Sequence, residues 1–469
     1  MANRAKYLFN NTLIFAIGNF GTKLISFFLV PIYTYTLSVA DYGTADLITT
    51  VSFVMAPMLT LNLSDAVLRF PLDKKGNDSQ ILTVGVVALI FAHLAGLFMI
   101  PLARQFSNTA NLATLMYLYC VTSATSSMMQ AFLRGLEKLR HFAFSNILCT
   151  ACTAGSNILF LVVFDWGVSG YLLAYILAFL VTAIYSAFAS GFFGRLCHLS
   201  FDKKLFMEMF KYAIVLMPST FMWWIINSSS RVIVTAMLGA AANGILAVAY
   251  KMPSIISVIA NTFTQAWSYS AIHEDGSEDR DQFTSNVFDK LMLSAGLLTL
   301  VLMMVIRPVT MLYVSSEYVS AWQLSSWLLL GNFLLTIGNF LGTPYTVHKD
   351  SVGYLATTAI GAVLNVVLMI ALIPVLGLHG SVVATFLGYL AVVVFRFFHT
   401  RKYIHINVAW ARYLPMIAAM CAILILQSIF VRYLTAGTIV VAVYVLFAYR
   451  PLFFAMLKTV KARLTQRAN

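Results

Sequence analysis

Polar and apolar positions fall in long blocks along this chain. Apolar runs of about 20 residues, the length that crosses a hydrocarbon core of about 30 Å, recur with short polar breaks between them. Cutting at the breaks predicts helices over 12–36, 43–63, 80–102, 112–133, 142–164, 169–189, 211–238, 244–270, 287–306, 321–346, 352–374, 380–396, 409–430 and 436–456. The first run begins near Asn11 and passes Lys23 and Pro31, which makes it too long and too polar for a secretory signal peptide. About fourteen crossings make this an all-α integral membrane protein with both termini on one side. Outer loops are short. The longest inner loops are 64–79, 190–210 and 271–286, and the last of these carries an acidic run from Glu274 to Asp281 that reads as a solvated loop.

Composition agrees with the pattern. Sixty per cent of the 469 residues are apolar and 10% are charged, against roughly 25% charged in a soluble domain. The net charge of +13 could point to nucleic acid, but the basic residues lie in loops without interleaved aromatics. Of the 30 Lys and Arg, 23 fall on the side of the termini, three (Arg104, Arg307 and Arg432) on the other, and four (Lys23, Arg231, Lys251 and Arg450) inside spans. That asymmetry sets the termini in the cytoplasm and the protein in the cytoplasmic membrane. The five cysteines lie in spans or an inner loop, so no disulfide framework is expected, and Cys149 and Cys152 have redox spacing but no preceding strand.

A weak repeat divides the chain. Leu37-Ser-Val-Ala-Asp-Tyr-Gly43 and Leu238-Gly-Ala-Ala-Ala-Asn-Gly244 each place a glycine six residues after a leucine, in what reads as a tight outer turn. Lys6-Tyr7 and Lys211-Tyr212 open the two halves. Parallel six-helix repeats produce this, giving an N-terminal lobe over 1–195, an interfacial amphipathic linker over 196–210, a C-terminal lobe over 211–400, and two further helices with a basic tail over 401–469.

Several motifs, in order, resemble those of a known family. They are Asp41-Tyr-Gly43, Val67-Leu-Arg69-Phe70, Trp223-Trp-Ile-Ile-Asn-Ser-Ser-Ser-Arg231, Gly244 with Tyr250-Lys-Met-Pro253, Glu317-Tyr-Val-Ser-Ala-Trp322, and Asn365 leading to Pro374-Val-Leu-Gly-Leu-His-Gly380. Together they resemble the polysaccharide transporters, or Wzx-type flippases, of the multidrug/oligosaccharidyl-lipid/polysaccharide exporter superfamily. The resemblance implies two pseudo-symmetric lobes around a central cavity that opens alternately to each side. It also implies an undecaprenyl-diphosphate-linked oligosaccharide as cargo, with membrane lipids and polysaccharide-assembly machinery as partners. The family often has an acid before the arginine; here that position is Ser230.

Ionised groups inside a span cost about 2.5–3.5 kcal/mol on insertion scales, so they face a cavity, pair, or snorkel. Lys23 sits near the centre of the first span, on a face with Asn19, Thr22 and Ser26. Thr220, Trp224, Asn227 and Arg231 share a face of the seventh, and Lys251, Ser254, Asn261 and Gln265 a stripe of the eighth. Lys23, Arg231 and Lys251 are the candidate diphosphate ligands, since a guanidinium presents a planar fork of donors to phosphate oxygens. Trp223 and Trp224 offer rings to a sugar or to the membrane interface, Asn19 and Asn227 offer amides, and Arg69 and Arg134 stand at inner ends as first contacts or as ordinary anchors. Asp46 is the one acid read as well inside a span: either an H⁺ or Na⁺ coupling site or a structural partner for Lys23. No metal, cofactor or nucleophile pattern is present, which argues against an enzyme; a cation-coupled multidrug or metabolite exporter of the same superfamily is the alternative function.

Overall fold

The computed structural model describes Ile25 and residues 27–73, 77–106, 109–196, 200–428 and 430–450. In chain order the helices are α1 (Phe27–Thr36), α2 (Val39–Leu59), α3 (Leu63–Leu72), α4 (Asp78–Gly96), α5 (Met99–Ala103), α6 (Ala113–Gly135), α7 (Leu139–Asn157), α8 (Gly167–Ser190) and α9 (Phe192–Leu196). They continue with α10 (Lys203–Leu238), α11 (Ala240–Ala249), α12 (Lys251–His273), α13 (Arg280–Tyr313), α14 (Ala321–Val347), α15 (Ser351–Leu376), α16 (Leu378–His399), α17 (Trp410–Ser428) and α18 (Leu434–Ala448). No strand occurs among the described residues. Each predicted apolar run carries helix over its described part. Nine helices among the described residues are long and apolar enough to cross a membrane, or ten if α2 and α3 form one bent span. α6 is helical throughout, but Thr122, Ser123, Thr125, Ser126 and Ser127 lower its hydropathy.

The chain packs as two compact units, one of residues 1–251, 313–319 and 362–384, the other of 252–312, 320–361 and 385–469. This division follows packing rather than the repeat, and the lobe boundaries remain an expectation.

In the first unit, Ser38 caps α2: its hydroxyl accepts the Asp41 N–H and donates to the Asp41 carboxylate at 2.7 Å. Helix continues beyond the second predicted run, 43–63. It bends by 57° between α2 and α3, where Leu61 and Asn62 both hold positive φ, and the second limb reaches Leu72. The Asn62 N–H closes the break on the Pro57 carbonyl at 2.7 Å, so the bend does not leave that donor bare. Val67 and Phe70 of α3 are thereby buried with Ile81 and Leu82 of α4, Met128 and Phe132 of α6, and Leu205 and Met209 of α10. Those last two come from the stretch expected as a separate interfacial helix. It runs without a break into the seventh span: α10 starts at Lys203, where Asp202 caps it by accepting the Lys204 and Leu205 N–H groups, and continues to Leu238.

In the second unit, Arg396, counted in the sequence as an inner-loop charge, is only 2% exposed. Its donors reach the Gly338 carbonyl at 2.7 Å and the Thr357 and Thr358 hydroxyls, and its face lies 4.4 Å from the Tyr354 ring centre. It ties α14, α15 and α16 together through neutral acceptors. The acidic inner run is likewise not merely solvated. Asp275 and Asp281 hold Arg280, whose guanidinium donates to the Tyr403 carbonyl; Asp281 accepts the His405 N–H, and Asp289 accepts from Arg412 and Tyr413.

Asp350, at the turn between α14 and α15, accepts the Tyr403 hydroxyl at 2.6 Å, the Gly353 N–H at 2.8 Å and the Lys402 ammonium at 3.2 Å. These partners, the Tyr403 hydroxyl first, lower its carboxyl pKa to about 2. A depressed carboxyl adds stability above its unfolded pKa and loses it as pH falls through the folded value. Asp350→Asn should therefore unfold at lower temperature than wild type at pH 5 to 7. That difference should shrink between about pH 4 and pH 2 as the wild-type carboxylate is protonated, as read by thermal unfolding of the two proteins in detergent.

Candidate functional site

The site grows from the place where the two repeat glycines meet. Gly43 and Gly244 were expected in outer turns, but each is the fifth residue of a helix, α2 or α11. The two helices cross there with backbones nearly touching: a Cβ on Gly43 would lie 1.8 Å from the Ala240 carbonyl oxygen, and one on Gly244 2.0 Å from that of Val39. Val39 and Ala240 each stand two positions after the repeat leucine, so the contact is reciprocal under the repeat. Gly239, with φ of 90°, supplies the left-handed step that ends α10 and starts α11.

That closeness sets the polar geometry. The Asn243 amide donates to the Gly43 carbonyl at 2.8 Å and lies 3.5 Å from Asp46 Oδ2. Arg231 Nε, on α10, donates to the same Asp46 oxygen at 2.7 Å. Both charges are largely withdrawn from the surface, with side-chain exposures of 16% for Arg231 and 11% for Asp46. The Tyr250 ring centre lies 4.6 Å from the guanidinium carbon, and the Tyr250 hydroxyl pairs with that of Ser230 at 3.2 Å. Arg231 is therefore fixed at its edge by an acid and at its face by an aromatic ring. A planar cation held in this way is suited to anionic oxygens, and a second acceptor of matching geometry can compete for it.

One turn further along α2, the Trp224 indole N–H donates to the Thr50 carbonyl at 3.3 Å. The face of α10 predicted to carry Thr220, Trp224, Asn227 and Arg231 thus meets α2, at Trp224 and Arg231, on the side that carries Thr50 and Asp46 one turn apart. The side chains of Trp223 and Asn227 lie outside the described residues, as do Asn19 and Lys23, so the expected Lys23–Asp46 pairing falls outside them too. Lys251 is half-buried at the start of α12. Arg69 is exposed on α3 and pairs with Asp73 at 3.0 Å, while Arg134 is half-buried, 5.0 Å from the Phe142 ring centre. The structure brings together Asp46, Arg231 and Trp224 of the predicted set, and adds Asn243 and Tyr250. Sequence reasoning missed these two although both stand in quoted motifs. A polar residue beside the repeat glycine was the available signal for Asn243.

The chain matches the model of the polysaccharide biosynthesis protein family over residues 8–274. It belongs to that family. No curated protein matches it in sequence. Among solved structures it is similar to a multidrug resistance MATE family transporter of the MOP superfamily in an inward-facing conformation, with a TM-score of 0.65, 14% identity, and coverage of 81% of this chain and 94% of that one. It is also similar to the lipid II flippase MurJ in an inward closed conformation, with a TM-score of 0.66, 12% identity, and coverage of 94% and 100%. A Vibrio cholerae MATE transporter, VcmN, aligns with a TM-score of 0.56 at 15% identity, covering 86% and 98%. Fold and family together define a polytopic helical membrane protein of the polysaccharide biosynthesis family, with a fold similar to that of these solved transporters.

The crossing has a direct test. In Gly244→Ala the added methyl meets a backbone oxygen that no rotamer change can move aside. Overpacking of this kind costs about 1–3 kcal/mol. The variant should show a lower thermal midpoint in detergent, and Gly43→Ala a loss of similar size; an unchanged midpoint in both would contradict the close approach.

Proposed function

We propose that this protein flips a polyprenyl-diphosphate-linked oligosaccharide, undecaprenyl diphosphate being the carrier, from the inner to the outer leaflet of the cytoplasmic membrane. Transport is by alternating access, in the service of surface polysaccharide assembly. The single observation that carries the reading is Arg231: a guanidinium inside a helical bundle, set on an aromatic ring, in a chain of the polysaccharide biosynthesis family. Lys23 and Lys251 complete the proposed diphosphate site, Asn19, Asn227, Trp223 and Trp224 contact the sugar, and Arg69 meets the head group at the inner face. Among the described residues the α2–α11 crossing is closed; in this reading it is the outer gate, and the topology read from the loop charges puts it on that side.

The alternative, export of organic cations, would use Asp46 as a free carboxylate. Its pairing with Arg231 removes that negative charge and favours an anionic cargo. Two energy sources are consistent with this site. A dianionic head group leaving a cytoplasm held negative gains about 2.3 kcal/mol per charge per 100 mV. Exchange for H⁺ or Na⁺ at Asp46 is the other.

Depletion of the protein should make lipid-linked oligosaccharide accumulate on the inner leaflet, read by its access to an impermeant sugar-modifying enzyme on opened and sealed vesicles. Accumulation on the outer leaflet, or none, would reject the reading. In liposomes, Arg231→Lys should slow flipping by about tenfold or more despite its retained charge, because a point ammonium does not reproduce the fork. The flipping rate in wild type should rise when an imposed potassium diffusion potential makes the cargo's leaflet negative; dependence on a proton or sodium gradient alone would select exchange at Asp46.

A further inference from the structure

Asp46 occupies the Nε edge of Arg231 with an anionic oxygen. Its Oδ2 is 2.7 Å from Nε, and the same oxygen is 3.5 Å from the amide of Asn243, which in turn holds the Gly43 carbonyl. One carboxylate therefore sits on both the anion-binding guanidinium and the α2–α11 crossing. Tyr250 keeps the guanidinium oriented independently of Asp46, since the ring is itself held through Ser230. If Asp46 left, Arg231 would remain aimed at the same place.

We propose that Asp46 is an internal substitute for the cargo anion, and that displacement of Asp46 from Arg231 by a diphosphate is the event that unlocks the α2–α11 crossing. The inference rests on the anionic-cargo reading given above. A diphosphate brings two negative charges and several acceptor oxygens where the carboxylate brings one charge, so it competes for a guanidinium already in place. Once displaced, Asp46 no longer shares Asn243, and the hydrogen-bonded bridge between α2 and α11 is weakened. An empty transporter stays latched because its own carboxylate neutralises the arginine; a loaded one opens because the cargo does so instead. Ser230 fits this arrangement, because an acid next to Arg231 in sequence would compete without being tied to the crossing.

The test uses the full-length protein in lipid nanodiscs with farnesyl diphosphate as the probe, and farnesol and inorganic pyrophosphate as controls for tail and head group. Asp46→Asn removes the internal competitor and should bind farnesyl diphosphate about tenfold more tightly than wild type. Arg231→Gln should lose the binding. Asn243→Ala alters neither charge but loosens the hold on Asp46, so it should shift affinity in the same direction by a smaller factor. It also serves if Asp46→Asn does not fold. Farnesyl diphosphate should increase hydrogen exchange at the start of α2 and in α11 of wild type, and farnesol should not. Equal affinity of wild type, Asp46→Asn and Asn243→Ala, with binding still lost in Arg231→Gln, would overturn the substitution while leaving the anionic-cargo reading intact. Absence of farnesyl diphosphate binding in every protein, wild type included, would overturn both. Binding of pyrophosphate and farnesyl diphosphate with equal affinity would keep the substitution and show that the head group alone drives it.

Discussion

The close approach of α2 and α11 is the constraint on which the candidate site depends. Helices in a membrane gain little from hydrophobic burial against one another, since lipid is as apolar as leucine, and small residues that allow backbone contact take over that role. Gly43 faces the Ala240 carbonyl and Gly244 faces that of Val39, so neither helix can carry a side chain at its glycine without moving. Only at this spacing does the Asn243 amide span the gap to the Gly43 carbonyl. Asp46, one turn along α2, is then placed where Arg231 of α10 can meet it.

Among the described residues, Arg231 and Arg396 are both deeply placed but handled differently. Burying a charge costs several kcal/mol unless its donors are satisfied and the charge is offset. Arg396 is met by a carbonyl, two hydroxyls and a ring, all neutral. It acts as a tie. Arg231 is met by a carboxylate from another helix, and that carboxylate also touches the helix crossing. A pair of that kind is the element on which the proposed displacement acts, since a competing anion would give it a second arrangement.

One end of the second unit is organised by acids that hold the connection after α16. Arg280, braced by Asp275 and Asp281, reaches the Tyr403 carbonyl, Asp350 takes the Tyr403 hydroxyl, and Asp289 takes Arg412 and Tyr413. The segment 403–409 is not helical and relies on these partners for its position. Charges in polar loops of a membrane protein thus act as connectors as well as topology signals.

The apolar runs determined the helical membrane fold by themselves, because a bilayer leaves a long uncharged segment no other way to satisfy its backbone. The repeat and the spanning charges pointed to Gly43, Gly244, Arg231, Trp224 and Asp46, since each is costly or unusual in its local setting. Sequence could not supply the pairing. Asp46 and Arg231 are 185 positions apart, and an acid in one span is compatible with any cation in another until the helices are packed. Nor could it separate a glycine that makes a turn from one that admits a neighbouring backbone, because the two have the same residue and the same flanks. The bend after Pro57 escaped the hydropathy pattern, which reports how apolar a segment is and not the direction in which it runs. Tertiary structure decided these points because each depends on which surfaces of different helices come within a few ångströms, a distance that one-dimensional periodicity does not encode.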